Sequence, residues 1–337
     1  MKLKTSNSVI KAHDISQLRF RDTPFVKLMN KRIYNILMVA SRYDMFILED
    51  DGRVDEQIFN EYTSLNLRYP PRFTQVSNNK EALAELKQNH YELIICMPNM
   101  DSSETFDLAK LLKRDYPRIP VVLLTPFSKA VTQSLSREDL SGIDYVFSWL
   151  GDTDLLLAII KIIEDSMNVE HDVKTVGVQT IMLVEDSVRF YSSVLPLLYK
   201  FVLSESKEFS KEALNEHLQM LRMRGRPKIL LARNYEEAVS YYKKYGDNML
   251  GIISDMSFNH NGVKDKLAGK KLGEWVRNID VDIPLIFTSS ESANRQYVDE
   301  TVDLFIDKNS KTFPQDLSKA IKENLGFGDF IITDPNT

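Results

Sequence analysis

The stretch TIMLVEDSVRFY, residues 180–191, decides the fold, because an apolar run typical of a buried parallel strand ends there in two adjacent carboxylates. A second stretch, YNILMVASRYDMF at residues 34–46, begins with a similar apolar run. The residues that follow the two strands differ in chemistry, since Glu185-Asp186 follow one strand and Ala40-Ser41 follow the other. The chain thus contains two similar strands with opposite chemistry at their ends.

Each of these strands begins a series in which strands and helices alternate. The first series is predicted to contain strands at 34–40, 73–76, 93–97, 120–125 and 145–147, and helices at 55–65, 80–88, 104–114 and 153–167. The second is predicted to contain strands at 181–184, 228–232, 250–254, 284–288 and 304–307, and helices from 187 and at 235–245, 271–278 and 314–325. Strands separated by helices form parallel sheets with helices on both faces. A repeat of about 140 residues is too long for a solenoid, so the sequence predicts two copies of a doubly wound α/β domain.

The domain boundaries follow from this repeat. We expect a helical lead-in at 1–33, a first domain at 34–168, a linker at 169–179, a second domain at 180–326 and the start of a further region at 327–337. The first-helix region of the second domain is expanded, because the stretch 209–221 and the basic turn RMRGRP at 222–227 precede its second strand.

Composition restricts the classes of protein to which the chain can belong. With 337 residues, 43% of them hydrophobic, the chain can bury the cores of two globular domains. Acidic and basic residues are well mixed and the formal net charge is −5, so neither nucleic acid nor an anionic membrane is an expected partner. No apolar stretch approaches the roughly 20 residues that cross a bilayer. The single cysteine, Cys96, excludes an intrachain disulfide, so we expect a cytoplasmic protein with Cys96 in its core.

The chemistry is expected at the carboxyl ends of the strands, where doubly wound sheets bind ligands. In the second domain the residues at successive strand ends are Glu185-Asp186, Asp255, Thr288 and Lys308. Clustered carboxylates repel one another unless a cation joins them, and Mg²⁺ prefers oxygen ligands. Asp255 is then a candidate phosphoryl acceptor, with Lys308 neutralising the phosphoryl oxygens and Thr288 donating a hydrogen bond to the acyl phosphate.

Each of these residues also has a purely structural interpretation. Asp186 is suited to cap the helix that follows it, and Asp255 is suited to a turn. Thr288 and Ser289 are suited to cap the next helix, while Lys308 is one of many lysines that could be solvated. The order of an acid pair, an acid, a hydroxyl and a lysine at successive strand ends favours the joint functional interpretation.

With these residues in this order, the stretch 180–325 resembles the receiver domain of two-component response regulators. The resemblance implies a flavodoxin-like (βα)5 fold and phosphorylation by a histidine kinase or phosphotransfer protein. It also implies a role for each site residue: Mg²⁺ binding for Glu185, Asp186 and Asp255, phosphate acceptance for Asp255, a switch hydroxyl for Thr288 and a phosphate contact for Lys308. The chain departs from the family pattern at Asn309, where proline is usual, and in the long loop 257–269.

The first domain repeats the strands without this chemistry. Aligned on the second domain, Met97 takes the place of the phosphoacceptor and Trp149 that of the lysine, while Thr125 keeps the hydroxyl. A thioether cannot accept a phosphoryl group and Ala40-Ser41 cannot hold a metal ion, so this copy resembles a receiver that has lost its chemistry. Asp101, a few residues after Met97, is a weaker candidate for the acceptor.

The tandem arrangement and the stretches RYPPRFTQVS at 68–77, LNEHLQMLRMRGRPKILLA at 214–232 and LGFGDFI at 325–331 resemble the N-terminal region of bacterial phosphoenolpyruvate synthase or pyruvate phosphate dikinase-like proteins. This resemblance implies a regulatory fragment, not itself an enzyme, that acts on a downstream catalytic region. The alternative is a tandem scaffold that binds other proteins and is not phosphorylated. An enzyme acting on a small molecule would need a nucleotide loop and a general base, which the sequence does not offer. A homodimer is compatible with each interpretation.

Overall fold

The computed structural model describes residues 24–49, 53–65, 67–98, 104–126, 138–149, 151, 153–211, 219, 222–297 and 302–325. Within the first half, strands and helices alternate along the chain. They are β1 (Asn35–Val39), α1 (Arg42–Leu48), α2 (Val54–Ser64), β2 (Arg72–Val76), α3 (Asn79–Gln88), β3 (Leu93–Cys96), α4 (Glu104–Asp115), β4 (Val121–Pro126), β5 (Tyr145–Trp149) and α5 (Asp154–Val176).

The second half repeats this alternation and adds a short hairpin. Its elements are β6 (Thr180–Val184), α6 (Val188–Ser210), β7 (Lys228–Ala232), α7 (Tyr235–Tyr245), β8 (Met249–Asp255), β9 (Phe258–His260), β10 (Val263–Asp265), α8 (Ala268–Arg277), β11 (Leu285–Ser289), β12 (Leu304–Asp307) and α9 (Phe313–Asn324). The strands β9 and β10 pair with each other in antiparallel orientation, apart from the main sheet.

Both five-stranded sheets have the same strand order. The first sheet is ordered β2-β1-β3-β4-β5 and the second β7-β6-β8-β11-β12. All neighbouring strands within each sheet are parallel. Counted within its own domain, each sheet has the 2-1-3-4-5 order of the flavodoxin-like fold. The predicted α/β class, with two doubly wound (βα)5 domains, is therefore confirmed.

The two sheets share one hydrophobic core. Because side chains alternate along a strand, Ile36 of β1 and Ile181 of β6 face one side of their sheets, while Leu37 and Met182 face the other. The Ile36 and Ile181 faces belong to a single cluster that also contains most of the buried apolar residues of α5 and α6. Helix α5 packs against β7 of the second sheet, and α6 packs against β5 of the first. The last helix of one domain and the first helix of the other thus form a layer that both domains use.

A buried ion pair crosses this layer. Asp165 of α5 is fully buried and accepts two hydrogen bonds from the Arg226 guanidinium, at 2.8 and 3.0 Å. The same carboxylate accepts from the Tyr199 hydroxyl at 2.8 Å and from the Ile229 amide at 3.0 Å. A buried carboxylate with all of these donors is satisfied, whereas removal of a partner would leave an uncompensated charge. Asp165 therefore ties α5 to α6 and to the start of the second sheet.

Several segments differ from the sequence-based predictions. The helix predicted at 153–167 continues to Val176, so the stretch 169–179 assigned to a linker is largely helical. The sequence patterns do not predict α1, which begins after Ser41, whose hydroxyl accepts from the Asp44 amide at 3.1 Å. Of the predicted lead-in, only Pro24–Lys27 forms a described helix, of the 3-10 type, and residues 1–23 and 326–337 lie outside the described residues.

The expanded first-helix region is described in part. Helix α6 is 23 residues long, as the prediction of a lengthened helix implies. Residues 212–218, 220 and 221, where an additional helix is predicted, lie outside the described residues. Across the described part of the chain, no helix has the length and apolar character needed to span a membrane.

Candidate functional site

Three carboxylates meet at the carboxyl edge of the second sheet. Because β6 and β8 are neighbours, the chain brings Glu185 after β6 beside Asp255 at the end of β8. Oxygens of Glu185, Asp186 and Asp255 lie within 4.8 Å of one another. The Glu185 side chain is 3% exposed, and those of Asp186 and Asp255 are 12% exposed. The cluster is thus set into the protein surface.

Lys308 lies inside this cluster. It follows β12 directly, and its side chain is 2% exposed. Its ammonium group donates to Glu185 Oε2 and, at 2.7 Å, to Asp255 Oδ1. The ammonium also lies 4.2 Å from the centroid of the Phe190 ring, which faces it from α6. The interpretation of Lys308 as a solvated surface lysine is wrong. Its side chain is buried, and both of its carboxylate partners belong to the site.

The long loop after β8 forms the β9–β10 hairpin. Its turn is Asn261-Gly262, and both residues have positive φ values, 53° and 76°, as a two-residue type I′ turn requires. The Phe258 side chain is fully buried under the hairpin. The His260 ring stacks on Tyr235 with 4.2 Å between ring centroids. These contacts fix the hairpin against α7 beside the acidic cluster.

The hairpin carries a second lysine to the cluster. Lys264 of β10 donates from its ammonium group to both carboxylate oxygens of Asp186, at 2.7 and 2.8 Å. The Lys264 side chain is 53% exposed, so solvent reaches this ion pair, in contrast to the pairs of Lys308. Sequence reasoning missed Lys264. The signal that was available is the Asn-Gly pair, which together with the unusual loop length predicts a hairpin.

Burial dominates the electrostatics of Glu185. Desolvation raises the pKa of Glu185 to about 7, the neighbouring Lys308 ammonium acts in the opposite direction, and the Asp255 charge adds to the rise. When all groups are ionised, the three carboxylates outnumber the two lysines by one. A site with this excess of negative charge and this oxygen-rich donor set fits a hard divalent cation. Asp186 and Asp255 are its more exposed carboxylates, so they are the ones that solvent ions reach first.

Thr288 lies beside the phosphoacceptor candidate. It is the direct partner of Asp255 in the register of β11 and β8, and it is 4% exposed. Its hydroxyl donates to the Ser254 carbonyl at 3.5 Å, a long contact that a better acceptor can replace. The predicted capping role belongs to Ser289, whose hydroxyl accepts from the Glu291 amide at 3.1 Å. Thr288 itself takes no part in that cap.

The backbone around Asp255 and Asp186 is also defined. The N-cap of α6 is Ser187, so Asp186 is not the capping residue that the structural interpretation proposed. On the other side of the site, the Gly269 amide donates to the Met256 carbonyl at 3.0 Å. A Cβ atom at Gly269 would lie 2.4 Å from the Asp255 carbonyl oxygen. Only glycine therefore lets α8 approach the strand end that carries Asp255.

In the first domain, the described residues at the positions of the acceptor, the lysine and the start of the acidic pair are apolar. Met97 and Trp149, at the positions of the acceptor and the lysine, are 6% and 9% exposed and belong to the shared core. Ala40 is buried, and the Thr125 hydroxyl donates to the Phe147 carbonyl at 3.2 Å. Asp101 lies outside the described residues. Among the residues that the structure describes, the acidic cluster suited to a metal ion is in the second domain.

Comparison with known proteins gives structural similarities but no family assignment. No protein-family model matches the sequence, and no curated protein matches it. One solved structure, of a two-component system response regulator/GGDEF domain protein, is 13% identical, with 87% of this chain and 98% of that chain covered and a TM-score of 0.32. NtrX from Brucella abortus, solved in complex with ADP, is 10% identical, with 82% of this chain and 66% of that chain covered and a TM-score of 0.32. At these values the fold assignment rests on the strand order.

Proposed function

We propose that the second domain is a phosphoacceptor receiver that works in two-component signalling, with Asp255 as the residue that is phosphorylated. The observation that carries this proposal is the convergence of three carboxylates, a buried lysine and a buried threonine at one sheet edge. These residues lie at or directly after the ends of four different strands, β6, β8, β11 and β12. No single local motif therefore produces the arrangement. The proposed phosphoryl donor is a histidine kinase or a phosphotransfer protein.

The chemistry of the transfer follows from the positions of these side chains. Asp255 attacks the phosphorus of a phosphohistidine, an O–P bond forms, and the P–N bond breaks with its electron pair left on the imidazole nitrogen, which takes up a proton. A bound Mg²⁺ supplies positive charge that stabilises the phosphoryl oxygens. Asp255 Oδ2 is the oxygen suited to attack, since Oδ1 accepts from Lys308 and Oδ2 has only a long contact, 3.4 Å from the Ser257 amide, among the described residues.

The remaining residues hold the product. Lys308 is held in place by Glu185 and Asp255, so its charge is already at the site when the phosphoryl group arrives. Thr288 is next to Asp255 in the sheet, and its hydroxyl can exchange its long contact with the Ser254 carbonyl for a phosphoryl oxygen. Glu185 and Asp186 would hold the metal ion beside these groups.

Acetyl phosphate and Mg²⁺ provide a direct test. We expect intact mass spectrometry to show one added phosphoryl group in the wild type and none in Asp255→Asn. Asp247→Asn, which removes an exposed carboxylate from the same domain, is the matched control and should keep the modification. A phosphoryl group that persists in Asp255→Asn, or that maps to the first domain, contradicts the assignment. A wild type that stays unmodified, also with a phosphorylated histidine donor, favours the scaffold alternative.

The first domain is proposed to act through its contacts with the second. The apolar strand ends and the helix layer shared with the second domain support a role in packing or in partner binding. The link to a phosphoenolpyruvate synthase-like output rests on sequence resemblance alone. The test of that link is whether the phosphorylated chain alters the activity of a phosphoenolpyruvate synthase-like catalytic region added to it.

A further inference from the structure

A cavity lined by several arginines lies at the opposite edge of the sheets from the acidic cluster. Its volume is about 170 Å³, and residues from both domains line it. Arg32 and Tyr69 reach it from the segments that precede β1 and β2, and Arg224 reaches it from the segment that precedes β7. At about 30 Å³ for each water molecule, the cavity has room for a ligand the size of five or six waters. A phosphate group with a few further heavy atoms has this size.

The charge of this cavity is positive and only partly neutralised. Two of its cations are paired, Lys161 with Glu164 at 2.8 Å and Arg226 with Asp165. The other three cations that line it, Arg32, Arg68 and Arg224, form no ion pair with a carboxylate among the described residues. Three arginines without acidic partners around one cavity are suited to bind an anion.

Two of these arginines are held in place by backbone carbonyl groups. Arg224 donates from Nη1 to the Val26 carbonyl at 2.9 Å, and Arg32 donates from Nε to the Met29 carbonyl at 3.3 Å. Burial, and then the nearby Arg32 charge, lower the pKa of Arg224. The two guanidinium groups therefore repel each other, and an anion bound between them would remove that repulsion.

A buried hydroxyl points to a missing partner in the same cavity. Tyr62 lines the cavity and is 2% exposed, and its hydroxyl forms no hydrogen bond of ordinary geometry in the part of the chain that the structure describes. The nearby Lys161 ammonium can only donate to it, so the hydroxyl hydrogen has no acceptor among these residues. The Lys161 ammonium lies 4.6 Å from the centroid of the Tyr62 ring. Buried hydroxyl groups are nearly always hydrogen-bonded. A ligand oxygen in the cavity would supply the acceptor.

The backbone is strained at two places that line the cavity. Met29 and Tyr69 have φ values of 52° and 62°, in the left-handed region that side chains other than glycine, asparagine and aspartate rarely adopt. Among the described residues, the third non-glycine residue with positive φ is Asn261 in the hairpin turn. Strain of this kind concentrates at ligand sites. The Tyr69 side chain is exposed at the cavity, where its ring offers an apolar surface.

We infer that this cavity binds a small phosphate-bearing molecule, with Arg32, Arg68 and Arg224 around the phosphate group and the Tyr62 hydroxyl as a further donor. The basic turn 222–227 and the stretch 68–77, which the acidic site does not use, both contribute to this cavity. Because the lining residues come from both domains, the ligand stabilises their contact. The site is separate from the phosphoacceptor site and does not depend on its function.

Isothermal titration calorimetry on the full chain tests this inference, with inorganic phosphate, pyrophosphate and glycerol 3-phosphate as separate probes. EDTA in the buffer prevents metal-dependent binding at the acidic cluster. We expect at least one probe to bind with one-to-one stoichiometry and to raise the melting temperature. The probe that binds most tightly distinguishes free phosphate from a diphosphate or a phosphate ester. Sulfate at the same ionic strength measures general anion effects.

Variants make the inference specific. We expect Arg224→Gln and Arg32→Gln each to weaken binding by about tenfold, because a charge-assisted hydrogen bond is lost. Arg68 is exposed, so Arg68→Gln should not disturb folding. If the other two variants do not fold, the same loss of binding can be measured with Arg68→Gln. The matched control Arg118→Gln, at an exposed position outside the cavity, and Asp255→Asn should bind as the wild type does. No saturable binding of any of the three probes, or undiminished binding in the arginine variants, overturns the inference.

Discussion

Replacement of Lys264 by alanine should strengthen Mg²⁺ binding at the acidic cluster. The Lys264 ammonium occupies both oxygens of Asp186, at 2.7 and 2.8 Å, so a metal ion that uses this carboxylate must displace it. Because the Lys264 side chain is 53% exposed, solvent weakens the ion pair, and a pair of this kind contributes about 0.2–1 kcal/mol. In Lys264→Ala the metal ion no longer has to break this ion pair, so the dissociation constant for Mg²⁺ should fall by up to about fivefold.

Calorimetric titration with MgCl₂ at low ionic strength measures this change. Lys266→Ala is the matched control, because Lys266 is an exposed lysine of the same loop and its removal changes the net charge equally. The difference between Lys264→Ala and wild type should shrink as salt is added, since salt screens an exposed pair. The reasoning is refuted if Lys264→Ala binds Mg²⁺ no more tightly than Lys266→Ala does. Weaker binding would mean that Lys264 supports the metal site.

Three further predictions concern the buried charges. Lys308→Met leaves Glu185 and Asp255 without their shared cation, so urea unfolding in EDTA should show a loss of about 3–5 kcal/mol in the free energy of unfolding. Mg²⁺ should restore part of this free energy, and an equal loss with and without Mg²⁺ would contradict the prediction. Burial raises the pKa of Glu185 to about 7, above its unfolded value of about 4.3, so metal-free stability should fall as pH rises from about 4.5 to 7. Over the same pH range the Mg²⁺ affinity should rise and then level off. An affinity independent of pH below 7 would contradict the raised pKa of Glu185. Asp165→Asn removes the charge that Arg226 pairs with across the shared helix layer, so calorimetry should show a large drop in melting temperature with both domains still unfolding in one transition; two separate transitions in the wild type would disprove the shared core.

Local sequence patterns account for most of the secondary structure and for the parallel pairing of the strands. The apolar runs around Ile36 and Ile181 are each long enough for one buried strand, and the helices between strands force parallel pairing. The predicted strands all occur, with ends that differ by a few residues. Helix α1 escaped prediction because it has only seven residues and two buried ones, Met45 and Leu48, which is too few for a periodic pattern.

The site residues could be predicted because the sheet topology brings them together, although they are far apart in the sequence. Glu185, Asp255 and Lys308 are far apart in sequence, yet each follows a strand of one parallel sheet, and carboxyl ends of parallel strands meet at one edge. Their convergence was therefore predictable, while their roles in phosphoryl transfer remain predictions. Lys264 was not predictable in the same way, because its strand of three residues lies outside the sheet that brings the others together.

The sequence by itself determined two parallel sheets and the edge at which the acidic residues gather, because apolar periodicity and strand-helix alternation are local properties. Only the tertiary structure decided that α5 and α6 form one layer between the sheets, that Lys264 pairs with Asp186, and that arginines from both domains surround one cavity. The physical reason is that these contacts depend on how two domains pack and how one hairpin folds over a strand end. Ion pairs and cavities of this kind leave no period in the sequence, since they join side chains that the chain separates by tens to hundreds of residues.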